Sequence, residues 1–130
     1  MSPGVALLFW SLTLFEAKHF VCDFVLQTAY QYRNKGIYGH PAGFVHAGLH
    51  LIGSLPAVLI MTDTVWLAAA ILAAEFAVHY HVDWLKEQIN KRHALTFNDA
   101  RYWSVFGADQ LIHQMSYVVI LGLLARAAGL

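Results

Sequence analysis

Histidine and aspartate side chains occur four times along this chain in pairs whose members are four residues apart. This spacing places both members of a pair on the same face of an α-helix. Imidazole and carboxylate groups together suit zinc, iron, manganese or copper. The sequence therefore predicts a site for one or two divalent transition-metal ions, with zinc as the first expectation. The expected ligands are His19, Asp23, His46, His50, His79, Asp83, Asp109 and His113.

Three further charged residues on the same helix faces are candidates for moving protons or holding substrate. Glu16 and Glu75 each precede a histidine of the set by about one helical turn, and Lys86 follows Asp83 by three residues. A carboxylate beside metal ligands can act as a general base toward water that the metal activates, or it can orient the histidines. The predicted catalytic residues are therefore Glu75, Glu16 and Lys86.

The composition is that of a membrane protein. Of the 130 residues, 58% are hydrophobic and only 12% are charged, whereas a soluble domain has about 25% charged residues. The formal net charge is zero, and no basic patch or nucleic-acid motif occurs, so the expected partner is the lipid bilayer and not a nucleic acid. The single cysteine, Cys22, excludes an internal disulfide and a multi-cysteine zinc module. A homodimer stays an open alternative.

Four segments are long and apolar enough to cross a bilayer, since a spanning helix needs about 20 mostly apolar residues. The N-terminal segment lacks the positive leader of a signal peptide, so we expect it to be the first span. The predicted fold is an all-α, integral membrane four-helix bundle with up-down-up-down topology and short loops. Residues 1–130 would form a single transmembrane domain. The expected spans are about 4–30, 41–61, 64–92 and 100–127.

Basic residues predict the orientation of the bundle. Arg33 and Lys35 follow the first span, and Lys91 and Arg92 follow the third, whereas the MTDT connection between the second and third spans has no basic residue. By the positive-inside rule, the two basic loops are cytoplasmic and both termini lie outside. With this topology, all four ligand pairs fall at a similar depth in the inner half of the bilayer.

Buried charge favours a metal over other interpretations of the polar residues. Five of the eight acidic residues lie well inside the predicted spans. Each unpaired charge near the membrane centre costs about 2.5–3.5 kcal/mol, so five would cost on the order of 12–18 kcal/mol. Lys18 and Lys86 are too few to neutralise them all. A bound cation or protonation of the carboxylates must therefore supply the compensation, and we expect the cation.

The order of the stretches HFVCDFVLQ, HAGLH, EFAVHYHVDWLK and DQLIH resembles a family of small bacterial and phage inner-membrane proteins known only as a domain of unknown function. The shared motifs are His-x3-Asp-Phe-x-Leu-Gln, His-x3-His, His-x3-Asp-x2-Lys and Asp-Gln-x2-His, and the resemblance covers almost the whole chain. It implies a location in the bacterial inner (plasma) membrane and no particular activity. It also singles out Gln27, Lys86 and Gln110 beside the histidines and aspartates.

Three functions are compatible with these patterns. The leading hypothesis is a metal-dependent hydrolase that acts on a lipid-linked or amphipathic substrate near the inner leaflet, because zinc-bound water ionises near pH 7. The alternative is a metal-ion or proton transport or relay protein, because chains of acidic residues and histidines often mark ion pathways. A relay should distribute its polar residues across the membrane, whereas the pairs here share one depth. The third option is an iron, copper or haem redox protein.

Overall fold

The computed structural model of the chain describes all 130 residues and confirms the all-α expectation, since it contains helices and no strand. Four of its five α-helices are long, and a single π-helical turn extends the first of them. The helices are α1 (Pro3–Phe20, continued by the π-helical turn Val21–Val25), α2 (Ala29–Asn34), α3 (Pro41–Leu59), α4 (Val65–Arg92) and α5 (Ala100–Ala127).

The first span ends at Val25, before the expected boundary at residue 30. The amide of Leu26 donates to the carbonyl of Val21 at 2.9 Å, five residues back, which closes the π-helical turn. Thr28 then starts α2 with a capping box: its hydroxyl accepts from the amide of Gln31, and the Gln31 side chain accepts from the amide of Thr28. The chain therefore begins a new helix and does not prolong the first one.

The start of α3 follows helix-capping chemistry, whereas the start of α5 has no side-chain cap. His40 occupies the N-cap of α3, its Nδ1 accepts from the amide of Ala42 at 3.1 Å, and Pro41 fills the first helical position. Asp99 occupies the N-cap position of α5, but its carboxylate instead accepts from the amide and the hydroxyl of Thr96. These hydrogen bonds, the backbone one first, hold the pKa of the Asp99 carboxyl below its usual value.

The four long helices form a four-helix bundle in which α3 packs between α1 and α4, and α5 packs on the other side between the same two helices. The half of the bundle that holds both chain termini, here called the terminal half, contains an apolar core. Phe15 and Tyr117 stack within it at 5.0 Å between ring centroids. The core residues are at most 8% exposed: Phe15, Ala57, Val58, Met61, Ala68, Ile71, Leu72, Tyr117, Ile120, Leu121 and Leu124.

The outer surface of the bundle is apolar as well. Large side chains such as Phe9, Trp66 and Val119 are more than half exposed on it. All four long helices have the length and hydropathy needed to cross a bilayer. The chain is therefore a multi-pass membrane protein in which lipid covers the exposed apolar surface. The other half of the bundle, here called the basic half, buries polar side chains in place of an apolar core.

Candidate metal centre

Five histidines from the four long helices meet in the basic half of the bundle. His19 comes from α1, His46 and His50 from α3, His79 from α4 and His113 from α5, and each is at most 3% exposed. The His79 ring lies at the centre, with its centroid 3.7 Å from that of His50 and 4.1 Å from that of His113. Histidines from four separate helices therefore meet at one place in the bundle.

Asp23, in the π-helical turn, joins three helices. Its Oδ1 lies 3.0 Å from Nε2 of His50 and 3.1 Å from Nε2 of His46, both on α3. Its Oδ2 accepts from Nε2 of Gln110 on α5 at 3.1 Å. Single π-helical turns inside α-helices occur frequently at functional sites, and this one carries the carboxylate that holds α1 against α3 and α5.

His19 is occupied by protein partners on both ring nitrogens. Its Nδ1 lies 2.8 Å from the hydroxyl of Tyr117, and its Nε2 lies 3.1 Å from Oε1 of Gln110 and 3.3 Å from Asp23. The structure thus places this predicted ligand beside the centre, where it supports Asp23. The sequence missed Tyr117, because nothing in the pattern of α5 shows which side chain of α1 its hydroxyl will meet.

Two groups of side chains place ligand atoms within 4.8 Å of one another, and both include His79. A tetrahedral ion with bonds of about 2.0–2.2 Å holds its ligand atoms about 3.3–3.6 Å apart, so ligand atoms at the 4.8 Å limit would move about 1 Å closer together around an ion. Six of the eight predicted ligands belong to these groups. The four-residue group is Asp23, His46, His50 and His79, and the three-residue group is His79, Asp83 and His113.

Unpartnered buried atoms show that the three-residue group fits a metal ion. Neither ring nitrogen of His79 or of His113 has a hydrogen-bond partner, and Oδ2 of Asp83 has none either. Nε2 of His46 lies 3.2 Å and Nε2 of His79 lies 3.4 Å from that oxygen, but neither contact has hydrogen-bond alignment. A buried polar group without a partner costs about 1–3 kcal/mol, and such groups are rare in native proteins. A cation between these residues would bind one nitrogen of each ring together with Oδ2 of Asp83.

The donor set consists of nitrogen and oxygen, which suits zinc, iron, manganese or copper. Cys22 is buried but belongs to neither group. Asp109, the remaining predicted ligand, lies next to the three-residue group. Its unpartnered Oδ1 is 3.9 Å from Nδ1 of His113.

Lysine ammonium groups lie beside all three buried acidic residues, which corrects the expectation that basic partners are too few. Lys35 is the lysine that the sequence did not lead us to expect here, because we predicted it to lie in a cytoplasmic loop. Instead, α2 folds back and directs its side chain into the bundle. The case for a metal therefore rests on the unpartnered atoms and not on uncompensated charge. The pairs are Lys18 with Glu75 (2.5 Å), Lys35 with Asp83 (3.0 Å) and Lys86 with Asp109 (3.7 Å).

The three predicted catalytic residues have different surroundings. Oε1 of Glu75 accepts from Lys18 and from the hydroxyl of Ser54, while its buried Oε2 has no partner. Lys86 lies 3.7 Å from both Asp83 and Asp109. Glu16 is half-buried and takes part in none of the hydrogen bonds or ion pairs of the centre. The structure therefore brings Glu75 and Lys86 to the centre and leaves Glu16 outside it.

The fold and the site together define a class, a multi-pass membrane protein with a buried histidine–aspartate cluster that can hold a metal ion. Residues 11–128 match the family described as "Protein of unknown function (DUF3307)". The chain belongs to this family, which confirms the resemblance to an uncharacterised family. No curated protein and no solved structure matches the chain.

Proposed function

We propose that the protein is a metal-dependent hydrolase of the bacterial inner membrane and that it acts on a lipid-linked or amphipathic substrate. The observation that supports this most directly is the set of unpartnered nitrogens on His79 and His113 beside the free oxygen of Asp83. When bound there, a divalent ion, zinc first, supplies Lewis acidity and lowers the pKa of water. Three protein ligands leave a coordination position open, as in catalytic zinc sites.

The three-residue group is the better metal site of the two. In the four-residue group, His46 and His50 already contact Oδ1 of Asp23 at 3.1 and 3.0 Å. Nε2 of His50 has a hydrogen-bond partner in Asp23, and Nε2 of His46 has one in Gln27. The rings of His79 and His113 have no hydrogen-bond partner on either nitrogen, so a cation in the three-residue group would compensate more unpartnered atoms.

Two charged residues supply the remaining chemistry. Glu75 has a free Oε2 that can take a proton from the attacking water, while Lys18 and Ser54 hold its other oxygen in place. Lys86 lies at the edge of the centre and can hold an oxygen of the substrate. Glu16 is the weaker candidate for either role, because it contacts none of these groups.

The apolar core favours hydrolysis over transport. Beyond Lys18 and Glu75, the interior of the terminal half consists of apolar residues that are at most 8% exposed. Ser11 is the buried polar residue there, and its hydroxyl already donates to the carbonyl of Ala57 at 2.7 Å. A transport path or proton relay needs polar groups or water across the whole membrane, whereas this network stops half way.

The metal is tested by elemental analysis of the protein purified in detergent. We expect at least one transition-metal ion per chain in the wild type and at least a tenfold lower content in His79→Ala. His81→Ala is the matched control, because His81 lies on the same helix but is exposed and outside both groups. Unchanged metal in His79→Ala would place the site elsewhere. A wild-type protein without metal would make the proton relay the better hypothesis.

A further inference from the structure

An apolar groove runs between α4 and α5 on the outer side of the candidate metal centre. Its cavity has a volume of about 120 Å³. Leu85 and Ile112 on its rim are about half exposed. Because both helices cross the membrane, the groove opens toward lipid. Its apolar walls are formed by Val82, Leu85, Ile89, Val105, Ala108 and Ile112.

The groove leads directly to the metal centre. Its two ionisable lining residues are Lys86 and Asp109. Lys86 Nζ lies 3.7 Å from Oδ1 of Asp83, a member of the three-residue group. Oδ1 of Asp109 lies 3.9 Å from Nδ1 of His113 and has no hydrogen-bond partner. A molecule in the groove would therefore have hydrocarbon on its walls and Lys86 at its inner end, while Oδ1 of Asp109 lies buried behind the lining.

We propose that this groove binds the hydrocarbon chain of a membrane lipid and that the oxygen-bearing group joined to that chain lies at Lys86. The inference rests on the proposed function and assigns its substrate class: a lipid whose chain is joined to an ester, amide or phosphate group. The ammonium of Lys86 donates to an oxygen of that group, and the apolar walls disfavour a water-soluble substrate.

The position and lining of the groove favour a lipid chain as its occupant. The groove lies between two helices long and apolar enough to span the membrane, and six of its eight lining residues are apolar. A single methylene chain is narrow enough to enter between the side chains. The bilayer supplies such chains at high concentration on the open side of the groove.

The test uses the full chain in vesicles of phosphatidylethanolamine and phosphatidylglycerol that contain a phospholipid with a diazirine in its acyl chain. After photolysis, mass spectrometry locates the labelled residues. We expect labelling to concentrate on the groove walls and to fall at least fivefold in Ala108→Trp, which fills the groove. Val119→Trp is the matched control, since Val119 is a lipid-facing residue of the same helix, 62% exposed and outside the groove.

A second filling variant, Ile112→Phe, serves if Ala108→Trp does not fold. Even labelling of all exposed apolar residues, or labelling that neither filling variant lowers, would overturn the proposal. Metal content, measured on the same samples, separates this proposal from the hydrolase itself. Groove labelling without metal would overturn the proposed function and leave the lipid groove, whereas metal without groove labelling would overturn the groove alone.

Discussion

His79 is the residue on which the whole centre depends. It belongs to both candidate groups, its ring lies between those of His50 and His113, and neither of its nitrogens has a protein partner. Its neighbours differ in this respect, because His50 contacts Asp23 whereas His113 has no hydrogen-bond partner on its ring. The two groups can therefore be told apart by changing the ligands that they do not share.

The first prediction concerns which group binds the ion. His113→Ala should lower metal content at least tenfold, because it removes one of only three ligands in the favoured group. His46→Ala should retain most of the metal, because His46 belongs only to the four-residue group. Elemental analysis of the two purified variants decides between the groups. The reverse result would move the ion to the Asp23 side, and equal partial losses would indicate two ions that share His79.

The second prediction concerns the buried pair of Lys18 and Glu75. Glu75→Gln leaves the ammonium of Lys18 unpaired in a buried site, so we expect a loss of stability of about 3–5 kcal/mol, and the double variant Lys18→Met/Glu75→Gln should recover most of it. Thermal unfolding in detergent measures both. Glu16→Gln is the control. We expect its stability to lie within about 0.5 kcal/mol of the wild type, because Glu16 is half-buried and unpaired.

Metal retention in Glu75→Gln would support a role for Glu75 in proton transfer, since such a variant keeps the ligands and loses the base. Loss of a general base lowers a rate by about 10²–10⁴, which becomes measurable once a substrate is known. Should Glu75→Gln lose its metal while it stays folded, Glu75 is a ligand and not the base.

The stability of the double variant decides whether Lys18 and Glu75 stabilise each other. If its loss of stability equals the sum of the losses in Lys18→Met and Glu75→Gln, the two side chains do not stabilise each other.

At the scale of elements, small residues determine how closely α3 approaches its neighbours. Ala42 and Ala47 are fully buried on this helix. A Cβ at Gly43 would lie 2.8 Å from Cε2 of Tyr80 on α4, while a Cβ at Gly48 would meet no atom within 4 Å. The Tyr80 ring is held on another side by Phe44, with 4.9 Å between their centroids. It has little freedom to move away from a new methyl group.

The third prediction compares these two glycines. Gly43→Ala should lower stability by about 1–3 kcal/mol, because the added methyl group overpacks the contact with Tyr80. Gly48→Ala should raise stability by about 0.5–1 kcal/mol, because alanine favours the helix and the site has room. Thermal unfolding of the two variants in the same detergent is the measurement. Equal effects would mean that α3 and α4 do not approach each other in this way.

The elements also show what the sequence could and could not predict. Long apolar stretches predicted the four spans, because this signal is local. The π-helical turn and α2 were missed, since the stretch VCDFVLQTAY stays apolar through a change in hydrogen-bonding pattern that hydropathy does not detect. The inward position of Lys35 follows from that missed turn. The contacts of Ser54 and Tyr117 depend on distances between helices, which the spacing within one helix does not contain.

At the scale of the whole molecule, the bundle is divided into an apolar terminal half and a polar basic half. Three lysines pair with carboxylates inside the bundle, which leaves few basic residues to orient it. Arg126, in the last turn of α5, lies in the terminal half. The residues that remain near the opposite end are Arg33, Lys91, Arg92 and Arg101. With four basic residues at this end of the bundle and one at the terminal end, the positive-inside rule still predicts that the connections in the basic half face the cytoplasm.

The fourth prediction tests this orientation with single cysteines in a Cys22→Ala background, which removes the one native thiol. Asp63 is exposed between α3 and α4, and Phe97 is 69% exposed between α4 and α5. We expect a membrane-impermeant maleimide to label Asp63→Cys from outside intact spheroplasts and to label Phe97→Cys only after lysis.

This expectation has an electrostatic reason, because basic residues near the ends of spans are retained on the cytoplasmic side during insertion. Such basic residues flank Phe97 and not Asp63. This orientation would place the metal centre in the inner leaflet, where the groove between α4 and α5 meets inner-leaflet lipid. Labelling of Phe97→Cys from outside the cell would show that the bundle has the opposite orientation. The centre would then lie in the outer leaflet, and its lipid substrate would have to be sought there.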